Sequence, residues 1–347
     1  MRTPSKRYPC GRRLAALLIL AASGLAACGG SGYGGGGGNM PVAGVGPSKL
    51  FLADSTNMQI GSLANSNPAA GMLTFDRMIT NYLNYAGFTS TMESLALDPA
   101  NDRLYAGTGT SIVQIDAAST YNGYPYPTPF PSVTISGSTG SLFLDTVHHS
   151  LYVGNGSVGV QVYDVTSGIT SASTPARTIS GNFGGVFTIH GVAVDTTAKN
   201  FLYVSNSVGS TNQVSVFDNA TGVTGSATPA RTITPTISGT AKPVGGVALD
   251  ETHDVLYVAG GSTSPLVMVF SPASTADNTA GAAIPTTTLT FPANVSNVVL
   301  DVPNNRLYAI SGGTVYILSG VSTAMDPITP SAVTAAGASL TAVAVNP

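Results

Sequence analysis

The stretch Ser94–Gly107, SLALDPANDRLYAG, reads as a short strand, a polar turn opened by Asp98 and a second strand. Nearly the same phrase returns as SLFLDTVHHSLYVG (141–154), GVAVDTTAKNFLYVS (191–205), GVALDETHDVLYVAG (246–260) and NVVLDVPNNRLYAIS (297–311). Asp98, Asp145, Asp195, Asp250 and Asp301 close the first strand of each copy, at intervals of 47, 50, 55 and 51 residues. Tyr105, Tyr152, Tyr203, Tyr257 and Tyr308 follow on the second strand. A third alternating segment comes next, as in SIVQID (111–116) and NQVSVFD (212–218), and a weaker fourth ends the copies, as in SVTIS (132–136) and ARTIS (176–180). Four short strands rich in Val, Ile, Thr and Tyr, separated by turns, predict one antiparallel sheet per copy.

A period near 50 with four strands per copy predicts an all-β chain, a β-propeller built from four-stranded blades. The chain finishes on AVAVNP (342–347), which matches only a first strand, with Asn346 in the Asp place. It opens the repeat region on SKLFLADSTNMQIGSLA (48–64), which matches only second and third strands. Joining the ends makes a sixth blade with the C-terminal strand innermost, and the closed ring leaves no open sheet.

The phrases GVAVD and LYV resemble NHL and YVTN-type propeller repeats, and TPARTISG (174–181) resembles an outer-strand phrase of secreted bacterial relatives. The resemblance covers about Ser48 to Pro347. It departs in long third-to-fourth connections such as Ala117 to Thr128 and Val165 to Thr174. Proteins of this kind range from scaffolds to lyases, so the resemblance implies fold more than activity.

The N-terminus carries a different message. Arg2, Lys6, Arg7, Arg12 and Arg13 precede an apolar run, Leu14–Leu25, and small residues follow, the layout of a secretion signal. LAAC (25–28) resembles the lipobox of bacterial lipoproteins, which implies cleavage before Cys28 and acylation of its thiol and new amino group. The expected organisation is a signal peptide at 1–27, a Gly-rich flexible tether at 28–47 and the propeller at 48–347. Cys10 leaves with the signal and Cys28 is blocked by lipid, so the mature chain has no pair for a disulfide. The expected address is the bacterial envelope, with a membrane partner through Cys28. In a Gram-negative cell Gly29, in place of a retention Asp, points to the outer membrane.

Removing the signal takes five of the 13 Lys and Arg residues and none of the 16 Asp and Glu, which leaves 8 against 16. No basic run survives, which argues against nucleic acid as a partner. Charged residues make up only 8% of the chain, so Ser, Thr, Asn and Gly must cover much of the surface.

Most repeated residues have structural work: the Asp accepts turn N–H groups, and the Tyr fills the space between blades. The residue five before each Asp or Asn starts the innermost strand at one mouth of the channel: Glu93, Gly140, His190, Gly245, Ser296 and Thr341. Glu93 and His190 are the ionisable members and the candidates for gripping a polar ligand. Asp54, in the DSTN link that faces the same mouth, joins them. His148, His149 and His253 lie on turns of the opposite face, and YPYPTPFP (124–131) should be an extended, Pro-stiffened loop. No G-x-S-x-G, H-E-x-x-H or phosphate-cradling loop followed by Lys occurs, so no catalytic residue, metal or cofactor is assigned. The expected function is a lipid-anchored binding scaffold for a protein or glycan, more a binder than an enzyme. The alternative is a metal-dependent hydrolase or lyase of the six-bladed lactonase type, which needs carboxylates converging in the channel.

Overall fold

The computed structural model describes residues 46–47, 49–80, 92–123, 130–156, 158–181, 187–278, 283–324 and 326–346. The signal, Cys28 and nearly all of the tether lie outside the described residues. Among the described residues every regular element apart from three single 3₁₀ turns is a strand; beside one small hairpin, Thr236–Ile237 with Thr240–Ala241, the strands form six antiparallel blades in a ring. From the axis outward, the first blade is Leu340–Val345, Leu50–Asp54, Gln59–Leu63 and Arg77–Thr80. The second is Ser94–Asp98, Arg103–Thr108, Ser111–Asp116 and Ser132–Thr134. The third and fourth begin at Thr139–Asp145 and Phe187–Val194, the fifth and sixth at Val247–Asp250 and Asn297–Asp301. The first blade is the predicted closure: Leu52 is the register partner of Val343 and Phe51 of Ala344, strands from opposite ends of the chain.

Each blade is buried on both faces, so the apolar residues collect into six clusters, one at each junction between neighbouring blades. Period-2 alternation distributes them. In the second blade Leu104 and Ala106 face the first blade, whereas Tyr105 between them faces the third. The five repeated Tyr residues are all buried. The Tyr308 hydroxyl donates to the Ser66 carbonyl of the next blade at 2.7 Å, and Tyr152 to that of Ala220 at 3.1 Å. Burial pushes Tyr257 and Tyr308 up to about 12, so these rings pack and do not exchange protons at neutral pH.

The Asp turns form as their sequence suggests. Asp98 accepts the Asn101 N–H at 3.2 Å, and Asp145 and Asp250 accept those of His148 and His253 at 2.9 and 3.0 Å. His148 and His253 also reach back through Nδ1 to the same carboxylates at 2.7 Å. One residue before the second strand stands in the left-handed region in five blades: Asp102, His149, Asn200, Asp254 and Asn305, with φ between 50° and 57°. Four of these side chains then clamp the link that follows the third strand. Asp102 takes the Ser119 N–H and hydroxyl, both at 2.8 Å, and Asn305 takes the Ser322 N–H at 2.9 Å while donating to its hydroxyl at 2.8 Å. Asn200 with Thr221 and Asp254 with Ser274 repeat the arrangement.

The long connections between third and fourth strands reach back over the preceding blade. Gly71–Leu73 of the first blade adds as a parallel strand to Val333–Ala335 of the sixth. Gly123 bridges Ile79 of the first blade, Gly225 bridges Ile179 of the third, and Ala283 bridges Pro235 beyond the fourth. Ile169 N–H reaches Gln114 of the second blade at 2.8 Å, and Asp326 takes the Thr290 N–H of the fifth at 2.7 Å. All six junctions therefore carry a clasp at the rim, over the edges that outer strands would otherwise leave free. In the fourth blade the second and third strands stay paired to their ends, Asn206–Val208 against Thr211–Gln213, and only Gly209 and Ser210 turn between them. The Gly209 φ of 57° makes that two-residue hairpin possible.

Candidate functional site

Three of the six predicted mouth residues, Thr341, Gly140 and His190, share a backbone feature that sequence alone did not disclose: each is the extra residue of a β-bulge, whereas Glu93, Gly245 and Ser296 lie just before the first paired residues of their strands. Thr341 lies between Leu340, opposite Asp54, and Ala342, opposite Ala53. Gly140 and His190 interrupt the register of the third and fourth blades in the same way. In the other blades two successive residues crowd one partner. Glu93 N–H donates to Gly107, whose register partner is Ser94, at 2.9 Å, and Ser296 N–H to Ile310, the partner of Asn297, at 2.8 Å. Gly245 N–H donates to Ala259 at 2.7 Å, and the Ala259 N–H returns to Gly246. A bulge turns its extra residue out of the pleat, and at Thr341, Gly140 and His190 it does so toward the end of the blade where the second strand leads into the third.

Two of the six are glycines because the neighbouring blade occupies the space a side chain would need. A Cβ on Gly140 would stand 2.8 Å from the Ile189 carbonyl oxygen, and one on Gly245 would stand 2.3 Å from that of Ser296. Of the hydroxyl members, Thr341 crosses to the next blade, donating to the Met92 carbonyl at 2.6 Å, whereas Ser296 donates to the Ile310 carbonyl of its own blade at 3.0 Å. Glu93 is half-buried and accepts the Ser138 hydroxyl of the third blade at 2.7 Å. His190 is half-buried, with Nε2 3.1 Å from the Ser207 hydroxyl, and burial lowers its pKa below the ordinary histidine value. It stands neutral at pH 7. Glu93 and His190 belong to the second and fourth blades with the third between them, and each engages a serine, not the other.

Asp54 has a different setting. It is fully buried and accepts the N–H groups of Thr56 (3.0 Å), Asn57 (3.3 Å) and Ser339 (3.1 Å) and the side-chain amides of Asn57 and Gln59 at 2.6 and 2.9 Å. These bonds fold its link and pin it to the loop before the innermost strand. Asn155 of the third blade sits at the equivalent place and donates to the Ser136 carbonyl of the corresponding loop. Of the Pro-rich stretch Tyr124–Pro131 only the end is described, where Phe130 packs on Tyr121 of its own blade with ring centroids 5.1 Å apart. Among the described residues, no three His, Cys, Asp or Glu side chains converge as a metal-ligand set.

Sequence reasoning missed the outer-strand arginines. Arg177, from the TPARTISG phrase, donates to the Ala220 and Val223 carbonyls of the next blade at 2.6 and 2.9 Å and to the Tyr152 hydroxyl at 2.8 Å. Arg77, only 2% exposed, holds the Gly46 carbonyl at 2.9 Å. The Arg that opens the fourth strand in three copies, Arg77, Arg177 and Arg231, was the available signal. Arg177 thus joins the third blade to the fourth, whereas Arg77 ties the first blade to the segment that enters it.

Fold and mouth together define a class, the six-bladed β-propeller. No family model matches the chain, and no curated protein matches it either. Among solved structures it is similar to a chain from a nidogen/laminin complex, with a TM-score of 0.55 and 12% identity over 85% of this chain and 97% of that one. It is also similar to a functionally unknown protein from Desulfotomaculum acetoxidans, with a TM-score of 0.53 and 11% identity over 87% and 88% of the two chains. At such identities the likeness is one of fold.

Proposed function

We propose that the chain is a lipid-anchored envelope scaffold that binds a protein or glycan partner across the mouth carrying Glu93, Gly140, His190, Gly245, Ser296 and Thr341. The observation that carries this reading is the set of six chain segments that lead into the innermost strands, three of them bulged and several hydrogen-bonded to the next blade, offering Glu93, neutral His190, hydroxyls and backbone groups. Such a surface suits uncharged hydrogen-bonding partners, since neutral donors and acceptors exact little desolvation when both sides pair. The propeller fold supports a binding or scaffold role in general, and the basic, apolar and LAAC segments ending at Cys28 support the anchor. In this reading Asp54 shapes the mouth and the partner meets Glu93 and His190.

The test is capture of envelope proteins and glycans by the full chain, alongside a Glu93→Gln, His190→Gln double variant. The reading predicts a ligand retained by the native chain and lost at least tenfold in the variant, with both melting alike. Equal capture by the two chains would refute this mouth as the binding surface.

A further inference from the structure

A second site lies on the axis itself. A cavity of about 220 Å³ is enclosed by innermost strands of all six blades, and none of the six mouth residues lines it. Its upper end meets Ser94, Ser141 and Asn297; its lower wall carries Leu97, Leu144, Leu249, Leu300 and Val345. At the upper end neighbouring strands touch: Gly246 N–H donates to Ser296 at 2.9 Å, Val192 N–H to the Ser141 hydroxyl at 3.1 Å, and Ser94 to the Thr139 carbonyl at 3.4 Å. Exposure changes along the strands in the other direction. The residues three before each Asp or Asn, such as Leu95, Leu142 and Val298, are buried, whereas Leu97, Leu144, Leu249, Leu300 and Val345, one before it, are only half-buried. The cavity is a funnel, narrow beneath the six mouth residues and open on the face of the Asp turns.

The lip of that opening is apolar on one side. Pro99, Ala100, Val147 and Pro303 are exposed turn residues of the second, third and sixth blades, and Val147 is 63% exposed. The wall combines aliphatic side chains with the inner edges of strands that have no further strand partner, so amide and carbonyl groups face the axis too. No lining residue is ionisable. At the narrow end Asn297 has its Oδ1 engaged by the Val298 N–H at 2.8 Å, which leaves its amide group as a donor.

We propose that this funnel is a binding site for a small neutral amphiphile, an alkyl body with one uncharged hydrogen-bonding head, entering from the Asp-turn face. Volume sets the size: apolar cavities of about 150 Å³ hold benzene, so this one admits a short alkyl chain. Transfer of such a chain from water becomes more favourable with each CH₂ buried. A charged head finds no counter-ion on the wall and is disfavoured. The site is separate from the upper mouth and does not depend on the partner proposed there.

The experiment titrates the full chain carrying Cys28→Ala, to remove any acyl group, with the neutral fluorophore N-phenyl-1-naphthylamine, then displaces it with 1-octanol or with octanoate at pH 8. Two filled variants accompany it, Val299→Phe and Ala248→Phe, which place in the sixth and fifth blades the residue the third already carries as Phe143. The expected result is saturable binding near one probe per chain, octanol at least tenfold more effective than octanoate, and at least tenfold weaker probe binding in a folded filled variant. Non-saturable binding, equal displacement by octanoate, or unchanged affinity in a folded filled variant would overturn the site. Should neither variant fold, the octanol-to-octanoate ratio on the unfilled chain decides.

Discussion

At the scale of single residues, the recurring features act through backbone geometry as much as through side chains. Asn305, at a φ of 51°, accepts the strain of the left-handed region and spends both side-chain atoms on Ser322. Asn305→Ala is expected to cost about 2 kcal/mol, from the left-handed penalty and the lost hydrogen bonds together, and Asn305→Gly about half of that, because Gly keeps the φ. Urea denaturation of the two variants checks the order. Gly245→Ala should cost about 2 kcal/mol or more, since its Cβ would collide with the Ser296 carbonyl and push the sixth blade's backbone. His190 gives a pH signature. Burial lowers its folded pKa below the unfolded 6.5, so its neutral form is the stabilising one. Stability is full above about pH 6.5 and falls as pH drops from there towards the folded value, because the unfolded chain takes the proton first. The urea midpoint should fall between pH 8 and 5 more steeply in the native chain than in His190→Gln, and parallel curves would contradict the assignment. The mouth positions were legible in sequence through their fixed distance from each Asp. The bulged state of Thr341, Gly140 and His190 was not, since it depends on which residue the partner strand leaves unpaired.

At the scale of elements, the blade is legible because two signals coincide: period-2 alternation and a phrase repeated about every 50 residues. Each strand is buried on both faces, so Leu104 and Tyr105 both read as apolar although they serve different junctions. The rim clasps left no such mark. They rest on single bridges such as Gly123 with Ile79, or on one carboxylate such as Asp326, at positions that differ from blade to blade. The sequence marked these connections as long, and the structure explains the length: they span to the previous blade. Asp326→Ala should therefore loosen a junction locally. We expect about 1 kcal/mol of lost stability, the scale of an exposed charge-assisted bond, and faster hydrogen exchange at the Thr290 amide with little change at Tyr257 or Leu289. Uniform acceleration across all blades would show that the clasp has no local role.

At the scale of the whole molecule, a ring closed by strands from opposite ends of the chain makes six similar junctions and one axis. The axis offers two unlike ends, a ring of largely polar residues and a funnel walled by aliphatic side chains together with strand-edge amide and carbonyl groups. The proposed anchor is tested at this scale as well: if Cys28 is acylated, Cys28→Ala abolishes incorporation of labelled palmitate and moves the chain from the membrane to the soluble fraction, and unchanged labelling would refute it. The central claim concerns the polar end. The direct measurement is photo-crosslinking in the native cell envelope, with a photoreactive phenylalanine analogue placed in turn at Glu93, Ser296, Thr341, the rim residue Met72 and the opposite-face residue Val147. The account predicts one common adduct from the three mouth positions and none of that mass from Met72 or Val147. Adducts confined to the rim or the Asp-turn face, with a silent mouth in folded chains, would contradict it.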